Sequence, residues 1–295
     1  MAARALTTFG RTRLPFRQVI SPLSISARTF ATAAPPKNAE KDGKNDKNEP
    51  KRQPPTVLGV KERPIPDRNS WTGRQKQKLQ DLTNYEKAFA SHAEERRYLV
   101  EEATKSYFAD AHDMRKHGGK LFEASNKLIR AEKALYMPDF EGRNFSKETV
   151  HTTDKLTGKI TLMSFVLAQY AEQHVNSFIN PFVKEFKDRT DVQLVELNVQ
   201  ENFLKQYLMK ALVGTIRRNT PVERQDNYVL LYKDISRVRR YLGMSNQYIG
   251  YVFLVDENCK IRWTAHGIAT EQEVAYMIGM TKFLAEKRAN DSGEK

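Results

Sequence analysis

Hydrophobic positions change their period several times along this chain, and each change predicts an element. From Leu79 the apolar residues Leu82, Tyr85, Phe89, Ala93, Val100, Ala103, Tyr107, Ala111 and Met114 recur at intervals of three, four or seven. That is one stripe of a 3.6-residue period, so a long helix is expected over 79–116, closed by Gly118-Gly119. A second, shorter helix is expected over 121–135, stopped by Pro138. The period then shortens. Residues 160–167 (Ile-Thr-Leu-Met-Ser-Phe-Val-Leu), entered from Thr157-Gly158-Lys159, read as a buried strand. Over 168–186, Tyr170, His174, Phe178, Phe182 and Phe186 fall four apart, which predicts a helix, with Pro181 as a kink point.

Further on, 192–199 reads as a strand, and 202–218 as a helix with Leu204, Leu208, Ala211, Leu212 and Ile216 on one face. Residues 228–232 predict a strand, and 235–242 a short helix closed by Gly243. The runs 251–255 and 261–265, joined by five residues 256–260, predict a hairpin. Thr270 with Glu273 three positions on forms a capping box for a last helix. Strand, helix, strand, helix, strand, helix, hairpin, helix is the layout of a thioredoxin-like domain: an α/β fold in three layers around a mixed sheet. The expected organisation is a thioredoxin-like domain over 138–290 preceded by a helical extension over 71–137.

The start of the chain has no such pattern. Residues 1–30 carry Arg4, Arg11, Arg13, Arg17 and Arg28 with no acidic residue, interspersed with Ser, Thr and Ala. That composition predicts a mitochondrial transit peptide, and Arg28-Thr29-Phe30-Ala31 resembles a matrix processing site. Residues 31–70 are expected to be a disordered or extended linker, poor in large apolar residues at first and then rich in proline. The formal charge of +13 falls with cleavage after Phe30, because the five arginines leave with the peptide. That leaves 44 Lys and Arg against 36 Asp and Glu, or +8. No apolar run approaches the roughly 20 residues of a membrane-spanning helix.

The candidate chemistry is sparse. A thioredoxin-like oxidoreductase carries its nucleophilic Cys just after the first strand of the strand–helix–strand unit, where this chain reads Leu167-Ala168-Gln169-Tyr170-Ala171. It also carries a Pro before the hairpin, where this chain has Gly250. The single cysteine, Cys259, falls in the hairpin turn, where an inert surface position is expected. Among six histidines no pair has metal-ligand spacing. His174 is expected as a core or boundary residue and His266 at a rim. Gly118-Gly119 lacks the strand before it and the Lys-Ser/Thr after it that a phosphate loop needs. No catalytic, cofactor-binding or metal-binding residue is expected.

One segment is strongly basic. Residues 205–240 hold nine Lys or Arg against Glu223, Asp226 and Asp234. Arg217, Arg218, Arg237, Arg239 and Arg240 form the candidate patch for an anionic membrane surface or for an acidic client. Aromatic interleaving of the kind RNA binders use is thin, so no nucleic acid partner is expected.

Two strings, Ala131-Glu-Lys-Ala-Leu-Tyr-Met-Pro-Asp-Phe-Glu-Gly142 and Ile249-Gly-Tyr-Val-Phe-Leu-Val-Asp-Glu-Asn-Cys-Lys-Ile-Arg-Trp263, resemble the mitochondrial ATPase complex subunit ten family. The resemblance covers roughly 120–288. It implies a non-enzymatic assembly factor for the Fo sector of ATP synthase, peripheral on the matrix side of the mitochondrial inner membrane. Its implied partner is the mitochondrially encoded subunit six (subunit a), held until it joins the subunit c ring. A thioredoxin-like or peroxiredoxin-like redox enzyme and a basic mitochondrial RNA- or ribosome-associated factor are the alternatives.

Overall fold

The computed structural model describes residues 55, 57–65, 96, 97, 100, 109–201 and 203–293. In chain order its elements are α1 (Ala109–His117), β1 (Glu141–Arg143), β2 (Thr149–His151), α2 (Thr152–Leu156), β3 (Ile160–Val166), α3 (Ala171–Phe186) and β4 (Val192–Val199). They continue with α4 (Phe203–Asn219), α5 (Val222–Gln225), β5 (Tyr228–Leu231), α6 (Ser236–Tyr241), β6 (Tyr251–Val255), β7 (Ile261–His266) and α7 (Glu271–Gly293). Among the described residues the strands form one sheet in the order β2-β1-β5-β4-β3-β6-β7. β5, β4 and β3 run parallel, joined through helices, and β6 and β7 add antiparallel.

Strict alternation along the central strands builds two cores from one sheet. On β3, Ile160, Leu162 and Val166 face one side, while Met163 and Phe165 face the other. On β6, Val252 and Leu254 face the first side, and Tyr251, Phe253 and Val255 the second. The first side is covered by α3, through Val175, Phe178, Ile179 and Phe182, and by α7, through Met277, Met280, Leu284 and Ala285. Ile235, Leu242, Met244, Met137, Phe140 and Leu156 cover the second. A central sheet with both faces buried and a parallel βαβ unit followed by an antiparallel hairpin is the thioredoxin-like architecture that the layout predicted.

The capping box forms as expected: Thr270 N–H donates to Glu273 Oε2 at 3.0 Å, and Glu273 N–H donates to Thr270 Oγ1 at 3.2 Å. At its other end, the stripe beginning at Leu79 closes as expected, with α1 ending at His117 and Gly118 and Gly119 at φ +59° and +79°. Most of the stripe, including Leu79 to Ala93, lies outside the described residues.

Two features differ from expectation. First, 121–135 contains no helix. The run lies instead along the outer edge of β7. Ile129 N–H donates to Arg262 O at 2.7 Å, Ile261 N–H to Leu135 O at 2.9 Å, and Met137 N–H to Cys259 O at 2.8 Å. An edge strand presents unpaired backbone groups, and this segment pairs those of Cys259, Ile261 and Arg262, where a helix would satisfy only itself. The apolar spacing also misled: Leu121 buries in the second core and Ala124 in the first. Second, the short hairpin of β1 and β2 was not anticipated, because three residues per strand carry too little pattern. Gly142 lets β1 approach β5; a Cβ there would meet Val229 Cγ1 at 2.4 Å.

Phe165 and Phe253 are fully buried and meet edge to face, with ring centroids 5.6 Å apart. Either residue changed to Ala is expected to cost about 3–5 kcal/mol, read as a lowered midpoint in urea unfolding. An unchanged midpoint in both variants would mean that these strands are not central.

Candidate functional site

The position where a thioredoxin-like enzyme carries its thiol is the entry to α3. Here Ala168, Gln169, Tyr170 and Ala171 lead into the helix, and the ring of Tyr170 stays half exposed against His174. His174 is 2% exposed, and its Nδ1 accepts the Gly250 N–H at 3.2 Å. Proline has no N–H to give. A Cβ on Gly250 would also meet Ala171 O at 2.6 Å and Val175 Cγ1 at 2.8 Å. The two departures from the redox pattern therefore meet: the first turn of α3 packs directly on Gly250, whose N–H His174 accepts.

The segment after α1 closes this region. A Cβ on Gly267 (φ +66°) would lie 2.3 Å from Gly119 O, so these backbones touch. Lys120 Nζ donates to His266 O at 2.9 Å, to Ile268 O at 3.0 Å and to Glu273 Oε2 at 2.5 Å. Glu273 Oε1 accepts the Ala124 N–H at 2.9 Å. His266, expected at a rim, is fully buried. Its Nε2 accepts the Leu121 N–H at 2.6 Å, which assigns the ring proton to Nδ1, a buried atom without a hydrogen-bond partner. Burial, then the nearby Lys120 charge and His174, push the His266 pKa down to about 3. Burial, then Lys120, also lowers His174. Burial lowers Lys120 against the opposing pull of Glu273. Both imidazoles are thus neutral hydrogen-bond acceptors that tie separate segments together. The sequence signalled one part of this cluster, the Glu273 cap; the convergence of Lys120, Ala124 and His266 on it spans about 150 positions and left no local trace.

Cys259 is buried, correcting the expected surface position. Its Sγ lies 3.5 Å from Thr157 Oγ1. It sits at the β6–β7 turn, whereas the α3 entry lies beyond the opposite end of β6. Five strand residues separate the two ends, on the order of 15 Å.

The five candidate arginines fall into two groups. Arg217 and Arg218 are exposed at the end of α4, where Arg217 Nε donates to Gln225 Oε1 at 3.1 Å and Arg218 reaches Thr215 Oγ1 at 3.4 Å. α4 packs through Met209, Val213 and Ile216 on the Leu230 side of β5. Arg237, Arg239 and Arg240 lie on α6, whose Val238 joins the core on the Val229 and Leu231 side. α4 leads into the start of β5 and α6 follows its end. The two groups therefore occupy opposite faces and opposite ends of the sheet. Arg239 Nε lies 3.3 Å from Glu201. Arg224, from the same basic segment, is paired with Glu196 through both carboxylate oxygens.

Fold and site together define a thioredoxin-like domain that carries Ala168-Gln169-Tyr170-Ala171 and Gly250 where a redox enzyme carries its thiol and its proline. The family described as ATP10 protein matches residues 37–284, and the chain belongs to that family. It is 32% identical over 178 residues to the mitochondrial ATPase complex subunit ATP10 of Candida glabrata, covering 58% of this chain and 65% of that protein. The protein of the same name in Saccharomyces cerevisiae is 31% identical over 196 residues, covering 59% of this chain and 68% of that one. The aligned part thus spans slightly under two thirds of the Candida glabrata protein. Among solved structures, a thioredoxin-family thiol:disulfide interchange protein from Chlorobium tepidum TLS is 14% identical, covering 52% of this chain and 97% of that chain, with TM-score 0.33. BsSco, of the Sco family of cytochrome c oxidase assembly proteins, is also 14% identical, covering 56% and 96%, with TM-score 0.38.

His266 predicts an acid-sensitive fold. Its depressed pKa means that the unfolded chain binds a proton below about 6.5 while the folded chain does not. The contribution is present above that pH and is lost as pH falls towards about 3, at roughly 1.4 kcal/mol per pH unit. Unfolding free energy should be level in this respect above about pH 6.5 and fall along this slope below it. His266→Gln should be less stable at pH 7.5 and show a flatter acid limb; an identical slope would remove His266 as the cause.

Proposed function

We propose that this protein is a non-enzymatic assembly factor for the Fo sector of mitochondrial ATP synthase. In this reading residues 1–30 direct it to the matrix, and it works peripherally on the matrix side of the inner membrane. There it holds the organelle-encoded subunit six (subunit a) until that subunit joins the subunit c ring. The family match over 37–284 carries the reading, and relatives named as subunits of the mitochondrial ATPase complex support it. The α3 entry supports the non-enzymatic part: a neutral His174 and a glycine with no room for a side chain offer hydrogen bonds but no nucleophile. Among the described residues no helix is long and apolar enough to cross a membrane, in keeping with a peripheral attachment.

Two experiments test this. After pulse-labelling of organelle-encoded proteins, affinity capture of this chain from detergent extract should retain newly made subunit six, with the signal decaying during a chase as the subunit joins the c ring. Capture of every labelled product equally would sink the specific client. Cys259→Ser should leave Fo assembly and respiratory growth intact, because the only thiol in the chain is buried at the far end of the sheet from the α3 entry. Loss of growth at normal protein level would point back to a redox role.

A further inference from the structure

On the β4 side of α3, this helix and the end of α4 leave a cavity of about 190 Å3 over the sheet. One row of side chains crosses three strands beneath it: Ser164 on β3, Glu196 on β4 and Tyr228 on β5 stand side by side in register. Ser164 alternates in step with Leu162 and Val166, so the row faces the first side. Val166, Val175, Ile216 and Pro221 give the cavity apolar walls, and Glu172, exposed in the first turn of α3, stands at its mouth.

The floor is polar and incompletely bonded. Ser164 is 1% exposed, and its Oγ has no hydrogen-bond partner among the described residues. A hydroxyl so deeply buried costs free energy until something bonds to it. Each Glu196 carboxylate oxygen accepts from Arg224 and keeps a further lone pair. Glu172 has no partner cation among the described residues. Burial, then the nearby Glu196, raises its pKa, as befits a carboxylate whose charge nothing offsets. Two carboxylates against one guanidinium leave the cavity with a net negative charge.

We propose that this cavity takes an alkylammonium group, its N–H donors shared among Ser164 Oγ, Glu196 and Glu172 and its stem against the apolar walls. The donor count fits, because an ammonium brings three N–H groups and no acceptor. An anion would meet two carboxylates, with the one guanidinium already committed to Glu196. A calcium ion takes about six to eight oxygens, more than Glu172 and a half-used Glu196 supply. The cavity is smaller than the roughly 300–1,000 Å3 of sites for drug-sized ligands, so it admits a side chain or a small amine. The same chemistry belongs to a lysine side chain of a bound polypeptide and to a free alkylamine. Occupancy is independent of the assembly role proposed above.

The probe is n-pentylamine at neutral pH, where it is protonated, with n-pentanol as its uncharged counterpart. In proton–nitrogen correlation spectra of the full chain, the amine should shift the amide signals of Ser164, Glu172 and Glu196 saturably, and the alcohol should not. Equal shifts with pentanol, or none with either, would overturn the proposal. Magnesium chloride moving the same signals at lower concentration would reassign the cavity to a metal and overturn it as well. Glu172→Gln, at an exposed position, should raise the half-saturating amine concentration by about ten- to a hundredfold with no loss of melting temperature. Ser164→Ala should weaken binding by about tenfold, yet leave the ligand-free protein no less stable, since it removes a hydroxyl without a partner. A destabilised Ser164→Ala protein that binds the amine like wild type would show that this hydroxyl serves the fold alone, against the proposal. Nα-acetyl-lysine methylamide binding as tightly as pentylamine would uphold the site and assign it to a lysine side chain; binding of pentylamine alone would uphold it for a free amine.

Discussion

The outer edge of β7 is the constraint around which this molecule is arranged. A sheet edge exposes backbone donors and acceptors that must be paired or hydrated. Here the chain pairs those at Cys259, Ile261 and Arg262 with its own Met137, Leu135 and Ile129, on a segment over 121–137 without regular structure. Extended backbone so far from its partner in sequence needs anchors, and Glu273 and His266 supply them. The Glu273 carboxylate caps its own helix while accepting from the Ala124 N–H and from Lys120. Charged hydrogen bonds contribute about 1.5–3 kcal/mol each, so one side chain holds the segment, the hairpin end and α7 in a single register.

That anchoring also shapes the α3 entry. Gly119 reaches both His174 and Gly267 because the segment has been drawn onto the end of β7. His174 then turns its Nδ1 to Gly250, so backbone and imidazole are hydrogen-bonded at the entry to α3. The same scaffold that elsewhere exposes a thiol here buries neutral histidines. Their neutrality is a packing requirement, since a proton on His266 Nε2 would oppose the donating Leu121 N–H.

The excess positive charge of the chain is likewise distributed by tertiary structure. The basic segment 205–240 is split between α4 and α6 on opposite faces, with Arg224 held in a half-buried pair with Glu196 and Arg239 set beside Glu201. Contiguity in sequence did not become contiguity in space, because β5 passes through the sheet between the two helices.

What the sequence by itself determined was everything written in local period. The alternation of β3, β4, β6 and β7, the four-residue spacing of α3, the Thr270–Glu273 cap and the glycine stop after α1 were all legible, because side-chain direction repeats every two residues in a strand and every 3.6 in a helix. The absence of a thiol at the α3 entry was equally plain from Ala168 to Ala171. Tertiary structure alone decided where period and partner disagree. Residues 121–135 have helical spacing, yet the unpaired edge of β7 offered their backbone better bonds. The three-residue strands β1 and β2 exist only because β5 lies beside them. The burial of Cys259 and His266 and the separation of the arginines were decided there too, since each depends on groups more than a hundred residues apart, or on opposite faces of one sheet, that no local pattern relates.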